Sequence, residues 1–143
     1  MQVKIYETAD DDKLRFAVIV ARHNGNYVFC KHRERETLEL PGGRREQGED
    51  IIETARRELR EETGALDFTI APVCVYSVTG SNRVNEDGSE CFGMLFCAEI
   101  TRFGEINSEI ERTELCGVLP ENLTYPEIQP VLFEEACRRG ASA

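Results

Sequence analysis

The spacing of apolar residues predicts one long helix near the middle of the chain. On a wheel of 100° per residue, four apolar residues form a single inward stripe. They are Ile51, Ile52, Ala55 and Leu59. Asp50 is placed to cap the first turn, with Glu53 three residues later, and Gly64 supplies the stop. The pattern therefore predicts a helix over residues 50–63.

Shorter apolar runs predict strands on both sides of this helix. The predicted strands cover residues 16–21, 27–30, 38–40, 68–78 and 91–100. The first two flank His23-Asn-Gly-Asn26, which is the signal of a tight hairpin. Residues 80–89 have loop composition, so we expect them to border a substrate cleft.

The C-terminal segment predicts a second helix, which begins near Pro126 or Pro130 and ends at Gly140. Its expected core side consists of Val131, Leu132, Ala136 and Cys137. Strands interleaved with two helices predict the α/β class, as an α/β/α sandwich around a mixed β-sheet. The length predicts a single domain over residues 1–143.

Acidic residues interrupt the apolar stripe of the first helix. Glu58 and Glu62 fall at its border, and Glu61 lies on the flank. Two carboxylates about 6 Å apart repel by roughly 3 kcal/mol at an effective dielectric near 20. Arg57 projects elsewhere on the wheel and is not expected to serve the inner pair without help from the fold. A divalent cation such as Mg²⁺ would satisfy this group, and the competing interpretation is a solvated charged face.

The wider pattern favours the cation. Residues 43–65 resemble the Nudix box, G-x5-E-x7-R-E-U-x-E-E-x-G-U, in which U is a bulky apolar residue. The seven fixed positions are Gly43, Glu49, Arg57, Glu58, Glu61, Glu62 and Gly64. Ala65, in the last apolar slot, is smaller than usual. The resemblance implies the Nudix fold and Mg²⁺-dependent hydrolysis of a nucleoside diphosphate linked to another group.

The resemblance also implies a set of metal ligands. Glu58 and Glu62 match the principal ligands, Glu61 joins them when more ions are bound, and the backbone carbonyl of Gly43 adds an oxygen. Mg²⁺ is the expected ion, with Mn²⁺ as the alternative. Glu58 and Glu61 belong to the expected catalytic set together with Arg57.

Other residues are expected to support these ligands. By the same comparison, Arg57 orients the glutamates and Glu49 holds Arg57 from behind. The general base varies within the family. Glu58 is one candidate, and Glu109 and Glu111 are candidates for a base or an extra metal ligand ahead of a final strand.

Several substrates and functions stay open at this stage. The compact length resembles the MutT-like branch, which converts a nucleoside triphosphate to the monophosphate and pyrophosphate. Residues 119–123 are similar to bacterial oxidised-purine triphosphatases. ADP-sugars and dinucleoside polyphosphates are alternative substrates. A noncatalytic nucleotide-binding regulatory module and a redox sensor centred on Cys91 are alternatives from other classes.

Net charge and composition limit the kinds of partner that the protein is expected to bind. A net charge of −10 and a pI near 4.7 argue against duplex nucleic acid and leave a small nucleotide as the expected partner. The start of the chain lacks the apolar core of a signal peptide and no run reaches membrane-spanning length, so we expect a cytoplasmic protein without a membrane partner. The six cysteines are expected to be reduced core residues. Monomer and homodimer are both open.

Overall fold

A mixed β-sheet organises the part of the chain that the structure, a computed structural model, describes, namely residues 1–80 and 88–142. Its strands are β1 (Gln2–Tyr6), β2 (Leu14–His23), β3 (Asn26–His32), β4 (Leu38–Glu39), β5 (Gly42–Arg44), β6 (Ala65–Thr79), β7 (Cys91–Phe103) and β8 (Ile110–Cys116). The helices are α1 (Ile51–Thr63) and α2 (Gln129–Arg138), with a short 3₁₀ helix at Asp11–Lys13. The loop predicted over residues 80–89 falls mainly outside the described residues.

The strand order is β1-β6-β7-β2-β3-β4, with β5 paired to β2 and β8 paired to β3. Strands β2 and β7 run parallel, whereas β2 and β3 form the predicted antiparallel hairpin. Asn24, at the tight connection, has a φ of 50°, which is tolerated by asparagine. Strand β5 lies antiparallel to β2, with Ala17 opposite Gly43. This pairing places residues 41–43, the Pro-Gly-Gly segment called the glycine loop below, against β2 at the centre of the sheet. The segment precedes α1 in the chain.

Each face of the sheet carries its own hydrophobic core. One core contains Ile51, Ala55 and Leu59 of α1, packed with buried residues of β2 and β7. The other contains Leu132 and the rest of the inner side of α2, together with residues of β3, β6 and β7. Complete burial of a leucine such as Leu59 stabilises the fold by about 2 kcal/mol. The prediction of an α/β/α sandwich around a mixed sheet is confirmed.

The ends of α1 agree with the sequence prediction. The Asp50 carboxylate accepts a hydrogen bond from the Glu53 N–H at 2.9 Å. At the other end, Gly64 has a φ of 76° and its N–H donates to the Arg60 carbonyl at 2.9 Å. A residue with a Cβ would be strained in that left-handed conformation. Both ends of the helix are therefore fixed locally by the sequence.

The prediction for the core side of α2 is wrong at two positions. The helix begins at Gln129 with Pro130 in its first turn, and Leu132 and Ala136 are buried as expected. Val131 and Cys137 are exposed, whereas Phe133 is buried. The buried stripe is centred between Leu132 and Phe133, so Val131 and Cys137 both lie roughly 100° or more from its centre.

Three strands and part of the cysteine pattern differ from the expectation. The sequence prediction lacked β1, β5 and β8. Strand β8 is largely polar, and Glu111, which was expected ahead of a final strand, lies inside it. All six cysteines are free, but Cys137 is exposed rather than in the core. Among the described residues, no helix has both the length and the apolar character needed to cross a bilayer.

Candidate active site

Strand β5, the loop after it and helix α1 carry the residues that the Nudix-like pattern singled out. Gly43 lies on β5, Glu49 lies in the loop before α1, and the arginine and three glutamates follow one another along the last turns of α1. A hydrogen bond of 2.9 Å from the Gly42 N–H to the Glu62 carboxylate joins the loop to the helix. The inner end of α1 is thus held close to the glycine loop.

Glu62 is a buried carboxylate on the inward side of α1, with 7% of its surface exposed. Burial raises its pKa well above the usual value, and the Gly42 N–H offsets this only in part. The charges of Glu58, Glu39 and Glu109 raise the pKa further. No arginine or lysine among the described residues forms an ion pair with Glu62. Its ionised form is therefore poorly compensated by the protein alone.

Glu58 lies one turn earlier and is nearly as enclosed, with 12% of its side chain exposed. Arg57 donates to its carboxylate at 2.6 Å. Burial nevertheless outweighs this ion pair and raises the pKa of Glu58 to about 7, with Glu61 and Glu109 adding to the shift. The Arg57–Glu58 contact relies on help from the fold, because Glu49 and the Arg44 carbonyl hold Arg57 in place. A long arginine side chain can reach a neighbour that its Cβ direction does not face.

The Glu58 carboxylate lies so close to Gly43 that only a residue without a side chain fits there. A Cβ placed on Gly43 would lie 2.4 Å from the Glu58 carboxyl carbon and 2.6 Å from both carboxylate oxygens. Real Cβ atoms do not approach other atoms so closely, so any larger residue would displace the carboxylate. The backbone of β5 and the carboxylate of Glu58 therefore occupy adjoining space at the site.

Arg57 and Glu49 form a tight, fully paired cluster beside these carboxylates. Arg57 Nε donates to Glu49 at 2.6 Å, and its Nη2 donates to the Arg44 carbonyl at 3.0 Å. The hydrogen bond from Arg57 is the largest cause that lowers the pKa of Glu49, to about 2. The Glu46 N–H and the Thr54 hydroxyl each donate to Glu49 at 2.9 Å. Glu49 and the Arg44 carbonyl thus hold the Arg57 side chain in the position from which it contacts Glu58.

The remaining acidic candidates lie at different distances from this centre. Glu61 is on the outer side of α1, with 53% of its side chain exposed, and approaches Arg57 at 3.3 Å. Glu109 is exposed, but its charge raises the pKa of both Glu58 and Glu62, so it faces the same region. Glu111 is not brought to this centre: its carboxylate pairs with Lys31 at 3.3 Å and with Arg112.

The donor atoms present suit a hard divalent cation. Such ions prefer carboxylate and carbonyl oxygens, and Glu58, Glu62 and the Gly43 backbone offer both kinds. The two buried carboxylates also lack enough positive charge when ionised. Within the described residues, however, no three acidic, histidine or cysteine side chains already stand together as a metal cluster. Glu61 in particular would have to turn inward to join the other two.

An apolar cleft of about 110 Å³ adjoins the glycine loop. Gly42 and Gly43 form one wall, Phe16 and Val18 of β2 form another, and residues at the start of α2 close the far end. The aromatic residues that line this cleft are Phe16, Tyr76 and Tyr125, and Tyr76 is at the same time part of the hydrophobic core. The site therefore combines a carboxylate centre with an adjacent pocket of mainly apolar character.

Sequence reasoning missed several residues of the site. Thr54 and Glu46 contact Glu49 but occupy variable positions of the pattern. Gln129 lines the cleft, although it is more than 60 residues from the box and was considered only as part of a helix start. The only sequence signal for Gln129 was a polar residue at the buried beginning of an amphipathic helix, which is weak by itself.

Comparison with known proteins gives a family match over most of the chain. A family model described as the NUDIX domain matches residues 11–118. A relative from Bacillus subtilis (strain 168), YtkD, which carries the provisional name of an 8-oxo-dGTP diphosphatase, is 30% identical over 84 residues. That match covers 59% of this chain and 52% of YtkD, so the chain spans about half the length of this relative.

Solved structures agree with the fold. The Bacillus subtilis pyrophosphohydrolase BsRppH superimposes with a TM-score of 0.76 at 22% identity, covering 96% of this chain and 91% of that protein. A C. elegans Ap4A hydrolase superimposes with a TM-score of 0.66 at 15% identity, covering 88% of this chain and 98% of that protein. At these identities the likeness concerns the fold.

Proposed function

This chain belongs to the Nudix family, and on that basis we propose that it hydrolyses a nucleoside diphosphate linked to another group. Family membership and the hydrolase relatives support a pyrophosphohydrolase that acts on phosphorus-containing anhydrides. The more specific form of the proposal is conversion of a nucleoside triphosphate, including an oxidised purine nucleotide, to the monophosphate and pyrophosphate. The name of YtkD supports this form.

One observation carries the proposal: Glu58 and Glu62 are enclosed next to the glycine loop without enough positive charge to balance them. Both pKa values are raised by burial. Two such carboxylates on adjoining turns destabilise a fold unless a cation or protons compensate them. A site for anhydride hydrolysis explains why the chain keeps them there, because phosphate chemistry needs charge neutralisation at a fixed position.

Nudix hydrolases generally use divalent metal ions. We propose Glu58 and Glu62 as the principal ligands, with Glu61 and the Gly43 carbonyl completing the set, and Mg²⁺ as the ion with Mn²⁺ as the alternative. When bound, such an ion would supply neutralisation of the phosphate charge and activation of water. The close approach of Gly43 to Glu58 supports this choice, because it brings a backbone oxygen and a carboxylate into one region.

The residues around the ligands have separate roles in the proposal. Arg57 holds Glu58 in place, and Glu49 holds Arg57, so both act by positioning. Glu58 is a candidate base, because its carboxylate lies directly against Gly43 at the proposed metal site. Glu109 is the second candidate. Glu111 would first have to leave its ion pair with Lys31.

The expected ligand is a small nucleotide that extends from the carboxylate centre into the apolar cleft. Its aromatic lining residues, Phe16, Tyr76 and Tyr125, suit a nucleobase. The single-domain organisation over residues 1–143, the cytoplasmic location and the choice between monomer and homodimer stay predictions. ADP-sugars and dinucleoside polyphosphates stay alternative substrates of the same chemistry.

The test is a panel of nucleoside triphosphates, 8-oxo-dGTP, ADP-sugars and dinucleoside polyphosphates, incubated with the protein and Mg²⁺ or Mn²⁺. Chromatography of the products identifies both the substrate and the bond that is cleaved. We expect a monophosphate and pyrophosphate from at least one triphosphate. Glu53→Gln, which alters an exposed glutamate of the same helix, is the matched control for Glu62→Gln.

Two results would contradict the proposal. One is the absence of turnover for every compound with either metal ion. The other is turnover that Glu62→Gln and Glu53→Gln affect equally. If nothing is hydrolysed but nucleotides still bind equally well to wild type and Glu62→Gln, the noncatalytic regulatory module becomes the better explanation.

A further inference from the structure

Cys91, the first residue of β7, lies in the wall of the apolar cleft. It is half-buried and pairs with Val78 of β6, which also lines the cleft. All six cysteines lie in the described part of the chain, and Cys91 is the only one of them among the lining residues. Its thiol is therefore the sulfur nucleophile that a molecule inside the cleft would meet.

The other five cysteines differ from Cys91 in burial or in position. Three of them are buried and therefore shielded from reagents, namely Cys30, Cys74 and Cys97. Cys116, at the end of β8, is half-buried, and Cys137, near the end of α2, is exposed. A group attached to Cys116 or Cys137 would leave the cleft open, whereas a group attached to Cys91 would lie inside it.

A second side chain of the cleft independently indicates that a molecule enters it. Gln129 lines the cleft and is buried, with 5% of its surface exposed. Its Oε1 accepts a hydrogen bond from the Leu40 N–H at 2.8 Å, which fixes the orientation of the amide. Within the described residues, no group accepts a hydrogen bond from its Nε2, and no shielded side-chain nitrogen or oxygen is unpaired, so Nε2 is open to the cleft. Such a donor suits an oxygen of an entering molecule.

The walls of the cleft limit the class of reagent that would reach Cys91. Phe16, Val18 and Ile128 make these walls mainly apolar, and the charged side chain among them is the acidic Glu39. The whole chain also carries a net charge of −10. An anionic thiol reagent would lose its hydration in the cleft and be repelled by these charges. A small uncharged electrophile is therefore favoured, and a carbonyl oxygen on it would suit the amide donor in the same cleft.

We propose that Cys91 is a covalent modification site for small uncharged α,β-unsaturated carbonyl compounds, and that the adduct excludes nucleotide from the cleft. The Cys91 thiolate attacks the β-carbon, so an S–C bond forms while the π bond between the α- and β-carbons breaks. The electron pair of that bond passes through the enolate to the α-carbon, which takes up a proton in place of the one that the thiol released. No group leaves, and no oxidant or reductant is consumed. The loss of hydrolysis rests on the proposed function, whereas the modification itself does not.

The probe is N-phenylmaleimide, an uncharged member of this class. The folded protein is treated for increasing times, the reaction is stopped with excess thiol, and mass spectrometry of the peptides gives the labelled fraction of each cysteine. Hydrolysis is measured in the same samples, relative to the untreated form of the same protein. We expect activity to be lost in proportion to the labelled fraction of Cys91, and to be independent of the labelled fraction of Cys137.

Matched variants separate an effect at Cys91 from damage elsewhere. Treated Cys91→Ser should keep its own starting activity, whereas Cys137→Ser, the same change at an exposed cysteine, should lose activity as the wild type does. A maleimide that carries a carboxylate should label Cys137 readily and Cys91 slowly. Thermal unfolding checks that each variant is folded, and the wild-type correlation tests the inference even if Cys91→Ser is unstable.

Three results would overturn the inference. They are the absence of label on Cys91 in the folded protein, full activity of wild-type protein in which Cys91 is labelled, and equal inactivation of wild type and Cys91→Ser. Full activity of the labelled protein would leave the proposed function intact, because the substrate is still hydrolysed.

Binding measurements distinguish failure of this inference from failure of the proposed function. Calorimetric titration with GMP and AMP, before and after labelling, needs no turnover. Binding that is lost when Cys91 is labelled supports the inference even if no compound is hydrolysed, and unchanged binding would overturn it. If the protein neither hydrolyses nor binds a nucleotide, the proposed function fails. Labelling of Cys91 by the uncharged maleimide in preference to the charged one would still support the modification site, and equal labelling by both would overturn it.

Discussion

Two carboxylates of the same site, Glu49 and Glu62, lie in opposite electrostatic environments. Glu49 accepts from Arg57, Thr54 and a backbone N–H, and its pKa falls to about 2. Among the described residues, the Glu62 carboxylate accepts only from the Gly42 N–H, and burial raises its pKa well above the usual value. Both are glutamates of one helix and its preceding loop, so the difference comes from how deeply each is buried and from its partners.

In one of these regions the fold balances the charges of its own residues, and in the other the charge balance is incomplete. The paired cluster around Arg57 is complete without any ligand, as expected for a part that only positions other groups. The carboxylates of Glu58 and Glu62 are buried without full compensation, as expected for groups that meet a cation from outside the chain.

The largest effect is expected from Glu62→Gln. The substitution keeps size and a hydrogen-bond acceptor for the Gly42 N–H, but it removes the charge that is proposed to hold the metal ion. We expect turnover to fall on the order of 10³-fold, since the main charge stabilisation of an active site is lost. Steady-state rates with Mg²⁺ measure the effect. Glu53→Gln should change the rate by less than about twofold; a similar loss in both variants would contradict the comparison.

The next effect concerns the pH dependence of stability without metal. The folded pKa of Glu58, about 7, lies above the ordinary 4.5, so its protonated form favours the folded state and stability is lost as pH rises from about 4.5 to 7. At about 1.4 kcal/mol per pKa unit, this loss is on the order of 3 kcal/mol. Glu49 acts in the opposite direction: its contribution is present above pH 4.5 and is lost as pH falls toward 2.

Urea unfolding in the presence of a chelator, at intervals between pH 4.5 and pH 8, measures this dependence. In Glu58→Gln, the free energy of unfolding should fall less between pH 4.5 and pH 7 than in the wild type, because the titrating group is gone. Glu53→Gln should retain the wild-type profile. Identical profiles for all three proteins would mean that Glu58 is not electrostatically strained in the folded state.

Gly43→Ala is expected to disturb the site with little effect on the fold. The added Cβ would overlap the Glu58 carboxylate, which can swing away because it is the end of a flexible side chain. We expect turnover to fall about 10²-fold, because a small displacement of a reacting group is costly. Gly117→Ala is the control, since a Cβ there meets only Asn26 Oδ1 at 3.9 Å. Full activity of Gly43→Ala would show that the position of Glu58 does not matter.

The smallest effect is expected from Arg57→Lys, which tests the paired cluster. A lysine keeps the charge but cannot reach Glu49, Glu58 and the Arg44 carbonyl together. We expect a loss of about 10-fold or somewhat more in turnover, with metal affinity less affected. Glu49→Gln should behave similarly, and Arg56→Lys is the neighbouring control. A loss of metal affinity as large as the loss of rate would make Arg57 more than a positioning residue.

Local signals in the sequence were sufficient to predict α1 and its acidic face. Asp50, Gly64 and the apolar stripe define the helix from neighbouring residues alone, and the wheel placed Glu58 and Glu62 at its buried border. Strand β8 could not be predicted in this way. Its exposed acidic residues resemble a solvated loop, and its place in the sheet depends on pairing with β3, more than 75 residues earlier.

The sequence predicted only those parts of the site whose residues lie close together along the chain. The Nudix-like spacing brought the carboxylates of α1 and Gly43 together, and the structure places Gly43 against Glu58. The contact from Arg57 to Glu58 depends on the fold, as expected, because Glu49 and the Arg44 carbonyl hold the arginine beside the glutamate. Gln129 approaches Leu40 across 89 positions of sequence, a contact that no periodicity can indicate.

The most direct test of the central claim is a crystal soaked with Mn²⁺, in which anomalous scattering locates the ion. The account predicts a peak between α1 and the glycine loop, with oxygens of Glu58 and Glu62 at about 2.1 Å. The account would be contradicted if Mn²⁺ bound elsewhere in wild-type crystals and left both carboxylates without an ion. This result counts only if the same protein hydrolyses nucleotide with Mn²⁺ in solution.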